Sequence, residues 1–368
     1  MFIVFRVDSS NHIGTGHVMR CLSLAERLRE AGVDVAFICR MYVGHLCTLI
    51  ERYGFQLIRL DMPTILSTSE SLINSQWLGL SQEEDAHEVF VKLEELGGCD
   101  WLVVDHYSLD ISWEAAMRPF AKNIMVIDDL ADRQHDCDLL IDQNFYFEDK
   151  KRYNELVPNK CIKLLGPSYA MLRPEFFDSL SKVKKRIGEL NRILVFFGGS
   201  DFENETLKVL RAIHLLNNQK LTVNVILGVN FPFKSCVLDF ASKMKHVACH
   251  DYIDNIAELM ASSDLYIGAA GITTWERCCL GLPSLVIAVS STQVMPMEQL
   301  ELAGIVRFLG EGRNVSVDNI YKALDEMMCA PSIMQKMSLK GMQLVDGKGT
   351  QRCVTAILNN GEIDEKEI

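Results

Sequence analysis

The sequence predicts an α/β protein with two domains, each built around a parallel sheet. Short apolar runs of strand length alternate with segments of helical periodicity along most of the chain. A strand, a glycine-containing turn and a helix follow one another from residue 2, and the same order returns from residue 193. The 368 residues are enough for two hydrophobic cores. Because alternating strands and helices form parallel sheets with right-handed crossovers, we expect two Rossmann-like domains.

We place the boundary between the domains near residues 181–189, a charged stretch with four basic residues and no strong apolar face. The first predicted domain covers residues 1–185 and the second covers residues 186–345. Residues 346–368 are expected to form a closing helix and a polar tail.

The charge balance excludes some classes of partner. The chain has 37 basic and 49 acidic side chains, and its net charge is −12. Such a chain has no general attraction to nucleic acid or to an anionic membrane. Any anion that it binds must therefore be held locally, by loop amides or by a few side chains.

The distribution of apolar residues and cysteines indicates where the protein resides. No apolar stretch reaches the ~20 residues that a membrane-spanning helix needs, and we expect no secretory leader before the first strand. The twelve cysteines are scattered without a CxxC pair, and we interpret them as reduced, buried thiols; Cys39, Cys161 and Cys249 are examples. We expect a cytoplasmic protein without an integral membrane segment.

The first candidate site is the loop at residues 8–16. An apolar strand at residues 2–5 enters this loop, which contains Gly14 and Gly16. A helix is predicted to open near His17, with apolar residues at helical spacing at positions 21, 22, 25 and 28. Backbone N–H groups and the helix dipole can approach a phosphate or carbonyl there, with the imidazole at the mouth of the site. The alternative is a tight turn in which His17 is only a solvated cap.

The second candidate site follows the predicted strand at residues 101–104. Asp105, His106 and Tyr107 come directly after this strand. Polar residues past the carboxyl end of a parallel strand line the ligand crevice of open α/β sheets. We therefore expect these three residues to face the same crevice as His17. The alternative is a capped turn with Tyr107 as an ordinary half-buried aromatic residue.

Two further features of the first half have weaker interpretations. Asp128 and Asp129 end the predicted strand at residues 124–127, where paired carboxylates bind a metal or act as acid and base. No neighbouring residues complete a metal shell, so we interpret the pair as a cap of the following turn. Residues 64–82 are rich in serine and threonine and are interpreted as a loop near a site.

The second half repeats the arrangement of the first. The strand at residues 193–197 leads into Gly198, Gly199 and Ser200 and then into a helix from about residue 204. A later strand at residues 265–267 meets a turn of small residues, which comprises Ala270, Gly271, Ile272 and Thr273. Small residues let a diphosphate approach the backbone. Glu276, one turn into the next helix, is placed to accept hydrogen bonds from two ribose hydroxyls.

Together these motifs resemble the PseG family of UDP-sugar hydrolases of pseudaminic acid biosynthesis. The resemblance runs from residue 2 to about residue 309. It is carried by Arg6-Val7-Asp8-Ser9-Ser10, His17-Val18-Met19-Arg20-Cys21, Val104-Asp105-His106-Tyr107, Gly166-Pro167, Tyr169-Ala170, Leu172-Arg173-Pro174-Glu175-Phe176, Phe197-Gly198-Gly199-Ser200-Asp201, Trp275-Glu276-Arg277 and Gly281-Leu282-Pro283-Ser284. The family is similar in fold to MurG-type glycosyltransferases, so the resemblance implies a GT-B architecture with two Rossmann-like domains facing a central cleft.

The resemblance also implies roles for single residues. His17 matches the catalytic histidine of the family, Tyr107 its active-site tyrosine and Glu276 the glutamate that holds the ribose. The turns at residues 198–200 and 270–273 match the nucleotide and diphosphate loops, which makes the second domain the expected UDP-binding domain. Thr292 stands where the family usually has an active-site asparagine, beside Gln293. Further substrate-binding residues are expected at Gly14, Gly16, Arg20, Asp105 and His106.

The implied reaction is hydrolysis of a UDP-linked 2,4-diacetamido-2,4,6-trideoxyhexose to UDP and the free sugar. We expect a neutral His17 to act as general base toward water, with inversion at the anomeric carbon and no cofactor or divalent metal. Tyr107 is expected to position water or an acetamido group, and loop amides and helix N-termini of the second domain are expected to meet the diphosphate. No obligate protein partner is inferred.

Three alternatives stay open at the level of sequence. The first is a glycosyltransferase of the same fold, in which His17 deprotonates an acceptor hydroxyl. The second is a UDP-N-acetylglucosamine epimerase that uses Asp105 or Asp128 as an additional acidic group. The third is a nucleotide-sugar-binding protein without turnover, which is suggested by Thr292 at the position of the family's active-site asparagine.

Overall fold

The structure is a computed structural model that describes residues 1–63, 77–148, 151–183, 186, 189–199, 201–228, 231–251, 253 and 255–359. The chain divides into two compact units. The first unit contains Met1–Asn144, Glu148–Met171 and the chain from Lys348 on, and the second contains Phe145–Phe147 and Leu172–Gly347. Among the described residues, no helix is both long enough and apolar enough to cross a bilayer.

The strands are β1 (Phe2–Val7), β2 (Asp34–Arg40), β3 (Gln56–Leu60), β4 (Cys99–Asp105), β5 (Ala121–Ile127), β6 (Leu139–Asp142), β7 (Ile162–Leu165), β8 (Arg192–Phe196), β9 (Thr222–Ile226), β10 (Val247–His250), β11 (Leu265–Ala269), β12 (Ser284–Ala288) and β13 (Arg307–Glu311). The helices are α1 (Gly16–Glu30), α2 (Cys47–Arg52), α3 (Gln82–Glu95), α4 (Ile111–Met117), α5 (Pro174–Ser179), α6 (Glu205–Leu216), α7 (Lys234–Ala241), α8 (Ile256–Ser262), α9 (Thr273–Cys279), α10 (Val294–Leu302), α11 (Val317–Cys329), α12 (Pro331–Leu344) and α13 (Gly349–Leu358).

The sheet of the first unit is parallel throughout, with strand order β3-β2-β1-β4-β5-β6-β7 among the described residues. The chain proceeds from β1 toward one edge and then returns to build the sheet outward from β4 on the other side of β1. The topological switch point therefore lies between β1 and β4, where ligands bind in open α/β sheets. The carboxyl ends of β1, β4, β5 and β6 follow one another along the same edge of the sheet.

Both faces of this sheet are buried, which explains its nearly continuous apolar strands. In β4, Trp101 and Val103 pack into the core beneath α1, whereas Leu102 and Val104 pack on the opposite face with residues of α3 and α4. Successive side chains of a strand point to opposite faces. This alternation continues past the end of β4 and decides which polar residues reach the site.

The second unit contains a parallel sheet with strand order β10-β9-β8-β11-β12-β13 in the described part of the chain. Its switch point lies between β8 and β11, whose residues Phe196 and Gly268 are paired. The Tyr266 hydroxyl donates to the Phe196 carbonyl oxygen at 2.6 Å. A Cβ atom at position 268 would lie only 1.9 Å from that oxygen, so only glycine fits between the two strands.

The predicted α/β class with two parallel sheets is confirmed. The units divide after Met171, whereas the sequence analysis placed the boundary at residue 185. Helix α5, which lies between these positions, packs against α8 and α9. Helix α13 returns to the first unit, because its apolar residues Cys353, Val354 and Ile357 complete the core around α1. Of the predicted loop at residues 64–82, residues 64–76 lie outside the described residues.

Candidate active site

The loop after β1 delivers His17 to the switch point of the first sheet. The Ser10 hydroxyl accepts hydrogen bonds from the backbone N–H groups of His12 and Ile13 at 3.1 and 2.9 Å. The Gly14 N–H donates to the Ser10 carbonyl at 2.9 Å, and Gly14 has a φ of 82°. This left-handed conformation favours glycine and turns the chain into α1. Helix α1 begins at Gly16, so His17 occupies its first turn.

His17 forms a buried pair with Asp105. Its Nδ1 atom lies 2.5 Å from Asp105 Oδ1, and 9% of its side chain is exposed. Because a carboxylate only accepts hydrogen bonds, we infer that Nδ1 carries the proton of the neutral imidazole. The Nε2 lone pair is then available to take a proton from a reactant. His17 and Asp105, which were predicted to face the same crevice, are thus hydrogen-bonded to each other.

Arg20, one turn after His17 on α1, binds two carboxylates at once. Its Nε and Nη2 atoms donate to the two oxygens of Asp105, each at 2.7 Å. Its Nη1 atom donates to Asp129 at 2.8 and 3.0 Å. Burial alone would raise the pKa of Asp105, but Arg20 and His17 hold that pKa well below its ordinary value. Asp105 therefore stays ionised and can balance a positive charge that forms on His17.

Two aromatic rings flank His17. The Tyr107 ring meets the imidazole edge to face, with ring centroids 4.6 Å apart, and the Trp77 ring stacks on Tyr107 at 5.3 Å. The Tyr107 hydroxyl donates to an oxygen of Asp129. Burial and the charge of Asp129 both raise the pKa of Tyr107, so its hydroxyl stays protonated. Trp77, which the sequence analysis did not single out, lies in the predicted loop at residues 64–82.

His106 does not join this cluster. It continues the alternation of β4 on the face of Leu102 and Val104, opposite to Asp105 and Tyr107. Its Nδ1 atom accepts the Ser108 N–H at 3.1 Å, and its Nε2 atom lies 3.4 Å from Asp8. Burial lowers the pKa of His106, although Asp8 opposes that effect. The structure therefore separates His106 from the predicted crevice and places it in a buried polar network.

The two aspartates after β5 have different partners and different roles. Asp128 accepts the Ala131 N–H at 2.8 Å, which confirms the predicted turn cap. Asp129 instead joins the His17 cluster through Arg20 and Tyr107. The predicted turn cap is therefore wrong for Asp129, although a polar residue directly after a strand was the signal that selected Asp105. Because β5 lies beside β4 in the sheet, the loops that follow these two strands lie close together.

Asp142, at the end of β6, extends the network. Its oxygens accept hydrogen bonds from the Tyr153 hydroxyl at 3.0 Å and from the Asn144 amide at 3.0 Å. Burial and the neighbouring charge of Asp129 raise the pKa of Asp142 to about 7, although Arg152, whose Nε atom lies 3.1 Å from the carboxylate, opposes that effect. An aspartate in the unfolded chain has a pKa of about 3.9. The raised pKa means that Asp142 stabilises the fold in its protonated form, and this contribution is lost as the pH rises from about 4 through 7.

We expect Asp142→Asn to flatten this pH dependence. Because asparagine cannot ionise, the free energy of unfolding of the variant should fall less between pH 5 and pH 8 than that of the wild type, by roughly 1–3 kcal/mol. Urea unfolding at both pH values measures this slope, in which any pH-independent cost of the substitution cancels. Equal slopes for the two proteins would contradict the assignment.

In the second unit, a glycine turn follows β8. Gly198 has a φ of 84°, and Ser200 lies outside the described residues. The Asp201 carboxylate accepts the N–H groups of Glu205 and Thr206 at 2.8 and 2.9 Å. These amides begin α6, so the start of this helix is already occupied by a side-chain carboxylate. The turn glycines, Gly198 and Gly199, are the part of the predicted loop that remains for a ligand.

The turn after β11 lies beside the glycine turn, because β8 and β11 are neighbours. Gly271 has a φ of 113°, and Thr273 begins α9 after Ala270 and Ile272. Glu276 is 7% exposed, and its Oε1 atom lies 3.3 Å from Arg173 Nη2. Burial raises the pKa of Glu276, whereas Arg173 opposes that effect. A carboxylate therefore lies one turn into the helix, as the sequence analysis expected.

Thr292 and Gln293 lie in the short 3₁₀ helix Ser291–Gln293 after β12. Thr292 is exposed, and its hydroxyl lies 2.9 Å from that of Ser290. The Gln293 side-chain oxygen accepts the Val289 N–H at 3.0 Å. Its nitrogen would lie 4.0 Å from a Cβ atom at Gly271, so Gln293 borders the turn after β11.

Metal-ligating side chains and cysteines are the remaining residue types with possible site chemistry. In the described part of the chain, no group of three or more His, Cys, Asp and Glu side chains is arranged to hold a metal ion. All twelve cysteines are described and are free thiols; nine are buried, whereas Cys249 is half-buried and Cys236 and Cys329 are exposed.

Comparisons with known proteins show what the chain is similar to. Residues 192–344 match the glycosyltransferase family 28 C-terminal domain. An uncharacterized protein of Methanocaldococcus jannaschii is 28% identical over 301 residues, which cover 80% of this chain and 57% of that protein. The match thus spans little more than half of the archaeal protein's own length.

A second relative has a described activity. The UDP-2,4-diacetamido-2,4,6-trideoxy-beta-L-altropyranose hydrolase of Campylobacter jejuni is 28% identical over 281 residues, which cover 76% of this chain and 89% of the hydrolase. The crystal structure of Acinetobacter baumannii MurG matches with a TM-score of 0.68 at 13% identity, covering 97% of this chain and 99% of MurG. The sequence resemblance is confirmed: this chain is similar in sequence to the Campylobacter jejuni hydrolase, has an α/β fold similar to that of MurG, and matches the glycosyltransferase family 28 C-terminal domain over residues 192–344.

Proposed function

We propose that this protein hydrolyses a UDP-linked 2,4-diacetamido-2,4,6-trideoxyhexose to UDP and the free sugar. The observation that carries the proposal is the His17–Asp105 pair, a base with an ionised orienting carboxylate at the switch point of the first sheet. The relative from Campylobacter jejuni supports the substrate class by its described activity. Similarity to glycosyltransferases over residues 192–344 supports a nucleotide-sugar as the ligand.

The reaction needs a water molecule to be activated beside the anomeric carbon. His17 Nε2 takes a proton from that water, and the oxygen forms a bond to the anomeric carbon. The bond from this carbon to the diphosphate oxygen breaks, and its electron pair leaves with UDP. Direct displacement inverts the anomeric centre. Asp105 stabilises the imidazolium through the Nδ1–H hydrogen bond, and the proton then passes from His17 to solvent.

The second unit supplies the proposed nucleotide contacts. Glu276 accepts hydrogen bonds from the ribose hydroxyls, and the turns at Gly198 and Gly199 and at residues 270–273 approach the diphosphate with backbone N–H groups. Thr292 and Gln293 contact the sugar or the diphosphate. The proposed mechanism requires no metal or cofactor, because neutral hydrogen-bond donors and the backbone N–H groups of the turns stabilise the negative charge of the leaving diphosphate.

The test is a proton NMR time course in buffer that contains EDTA. The substrate is the UDP-linked 2,4-diacetamido-2,4,6-trideoxyaltrose, and UDP-N-acetylglucosamine serves as comparison. We expect the inverted anomer of the free sugar to appear first, followed by mutarotation. A reaction that stops with EDTA and resumes with Mg²⁺ would contradict the proposed metal independence. Tight UDP binding without turnover would indicate a nucleotide-sugar-binding protein.

A glycosyltransferase is the second candidate, because residues 192–344 match a glycosyltransferase domain. In that case the same His17 nitrogen takes a proton from an acceptor hydroxyl. The two functions differ in their products, since a transferase forms a new glycoside and releases UDP only when an acceptor is present. Release of free sugar at full rate in pure buffer favours the hydrolase.

We expect Glu276→Gln to weaken UDP binding by roughly ten- to a hundredfold, since hydrogen bonds to a charged group contribute about 1.5–3 kcal/mol. Isothermal titration calorimetry with UDP and with 2′,3′-dideoxy-UDP measures the effect. The variant should lose its preference for the ribose hydroxyls. Glu258→Gln, on the exposed surface of α8, is the control and should bind as the wild type does. An unchanged preference in Glu276→Gln would contradict the ribose assignment.

A further inference from the structure

Asp129 stands at the centre of the polar cluster around His17. Three donors converge on its two oxygens. Arg20 Nη1 donates at 2.8 and 3.0 Å, the Tyr107 hydroxyl donates to Oδ2, and the Asn144 amide donates to Oδ1 at 2.8 Å. The side chain of Asp129 is 14% exposed, so these protein donors rather than water satisfy most of its charge.

These contacts determine how Tyr107 can meet a ligand. A phenol has one proton, and that proton is bonded to Asp129. The Tyr107 oxygen can then offer a ligand only its lone pairs, as a hydrogen-bond acceptor. The centroids of the Tyr107 and His17 rings lie 4.6 Å apart, so this acceptor lies beside the proposed base. Such an oxygen attracts an N–H or O–H donor and disfavours another acceptor, such as a phosphate oxygen.

We propose that Asp129 is a positioning residue that turns the Tyr107 hydroxyl into a hydrogen-bond acceptor for the N–H of an acylamino group beside the anomeric carbon. The inference rests on the proposed function, which places the anomeric carbon next to His17. It deepens that function by assigning selectivity for 2-acylamino sugars to Tyr107 and Asp129. Neither the family resemblance nor the expected active-site residues include Asp129.

The surroundings of Asp129 predict what Asp129→Asn does. An asparagine offers one acceptor oxygen, whereas Arg20, Tyr107 and Asn144 are all donors. Asn144 also donates to Asp142 at 3.0 Å, so it loses that bond if its amide flips. The new oxygen is therefore expected to face Asn144 and Arg20, which leaves the new NH₂ group directed at Tyr107. The Tyr107 oxygen then accepts from position 129, and its proton turns toward the ligand.

The experiment compares the binding of UDP-N-acetylglucosamine and UDP-2-deoxyglucose by calorimetry, which needs no turnover. The wild type should prefer the acylamino sugar. In Tyr107→Phe and in Asp129→Asn, the ratio of the two affinities should fall by roughly two- to tenfold, the effect of one hydrogen bond. Asp132→Asn makes the same chemical change at an exposed site nearby and should leave the ratio unchanged. Circular dichroism confirms folding of each variant, and Tyr107→Phe tests the hydroxyl if Asp129→Asn does not fold.

The outcomes separate the inference from the proposed function. A wild type that prefers the acylamino sugar, with an unchanged ratio in both variants, would overturn the inference and leave the hydrolase proposal standing. A lower kcat in Tyr107→Phe with an unchanged affinity ratio would mean that the hydroxyl holds the attacking water, which also overturns the acylamino assignment. A wild type that binds neither sugar nor UDP would overturn both.

Discussion

Replacing His17 with alanine is expected to lower kcat by roughly 10²–10⁴-fold, the usual contribution of a general base. The loss follows from the geometry, because Nδ1 is bonded to Asp105 and only Nε2 is available to take the proton of water. UDP binding should stay close to that of the wild type, since the proposed nucleotide contacts belong to the second unit. Kinetics with the UDP-linked diacetamido sugar and UDP titration measure the two quantities separately.

His12 provides the matched control for this prediction. It lies in the same loop but is exposed, and its N–H is bonded to Ser10 whatever side chain it carries. His12→Ala should therefore keep the wild-type kcat. A wild-type rate in His17→Ala would remove His17 from the mechanism, and equal losses in both variants would indicate that the loop rather than the imidazole is required.

Asp105→Asn is expected to lower both activity and stability. An asparagine cannot accept from His17 and from both donor atoms of Arg20, so its NH₂ group opposes at least one of them. If it faces His17, Nδ1 becomes the acceptor, the proton moves to Nε2 and the base is lost. We expect a loss of kcat of about 10²–10⁴-fold. In the serine protease triad, the same change from aspartate to asparagine also leaves the histidine in the wrong tautomer. Kinetics of the folded variant measure this loss.

The stability effect of the same substitution is independent of turnover. The side chains of Arg20 and Asp105 are 2% and 0% exposed, and breaking a buried ion pair costs about 3–5 kcal/mol. Urea unfolding should show this decrease. Asp100→Asn, at the half-buried start of β4, is the control: its amide oxygen can still accept the Phe2 N–H, and loss of the pair with the exposed Lys122 should cost at most about 1 kcal/mol. A variant as stable as the wild type would show that Asp105 does not carry the charge assigned to it.

The acid dependence of stability follows from the same pair. Because the folded-state pKa of Asp105 is depressed, its contribution is complete above the unfolded pKa of about 3.9 and is lost as the pH falls toward the folded pKa. Asp142 acts in the opposite direction, since its raised pKa of about 7 makes it stabilising only when protonated. The two buried carboxylates end β4 and β6 of the same sheet. Arg20 and His17 outweigh the effect of burial at Asp105, whereas burial and the charge of Asp129 outweigh the effect of Arg152 at Asp142.

Much of the fold follows from local sequence signals. The predicted strand at residues 193–197 agrees with β8 to within one residue at each end, and the helix predicted to open near His17 begins at Gly16. Asn255 caps α8 by accepting the Glu258 N–H at 3.1 Å. Helix α3 begins at Gln82 because Ser81 and Glu84 form a capping box. Periodicity and capping are properties of neighbouring residues, and they are readable without the tertiary structure.

The partners within the site required the tertiary structure. His17 and Asp105 are 88 residues apart in the chain, and Asp129 is a further neighbour only because β5 lies beside β4. His106 follows Asp105 directly, yet the alternation of the strand directs it to the opposite face. The sequence by itself determined the α/β class, the loops that end the strands and the candidate base. Strand order and side-chain alternation decided which polar residues meet, because those contacts depend on how distant segments are placed side by side.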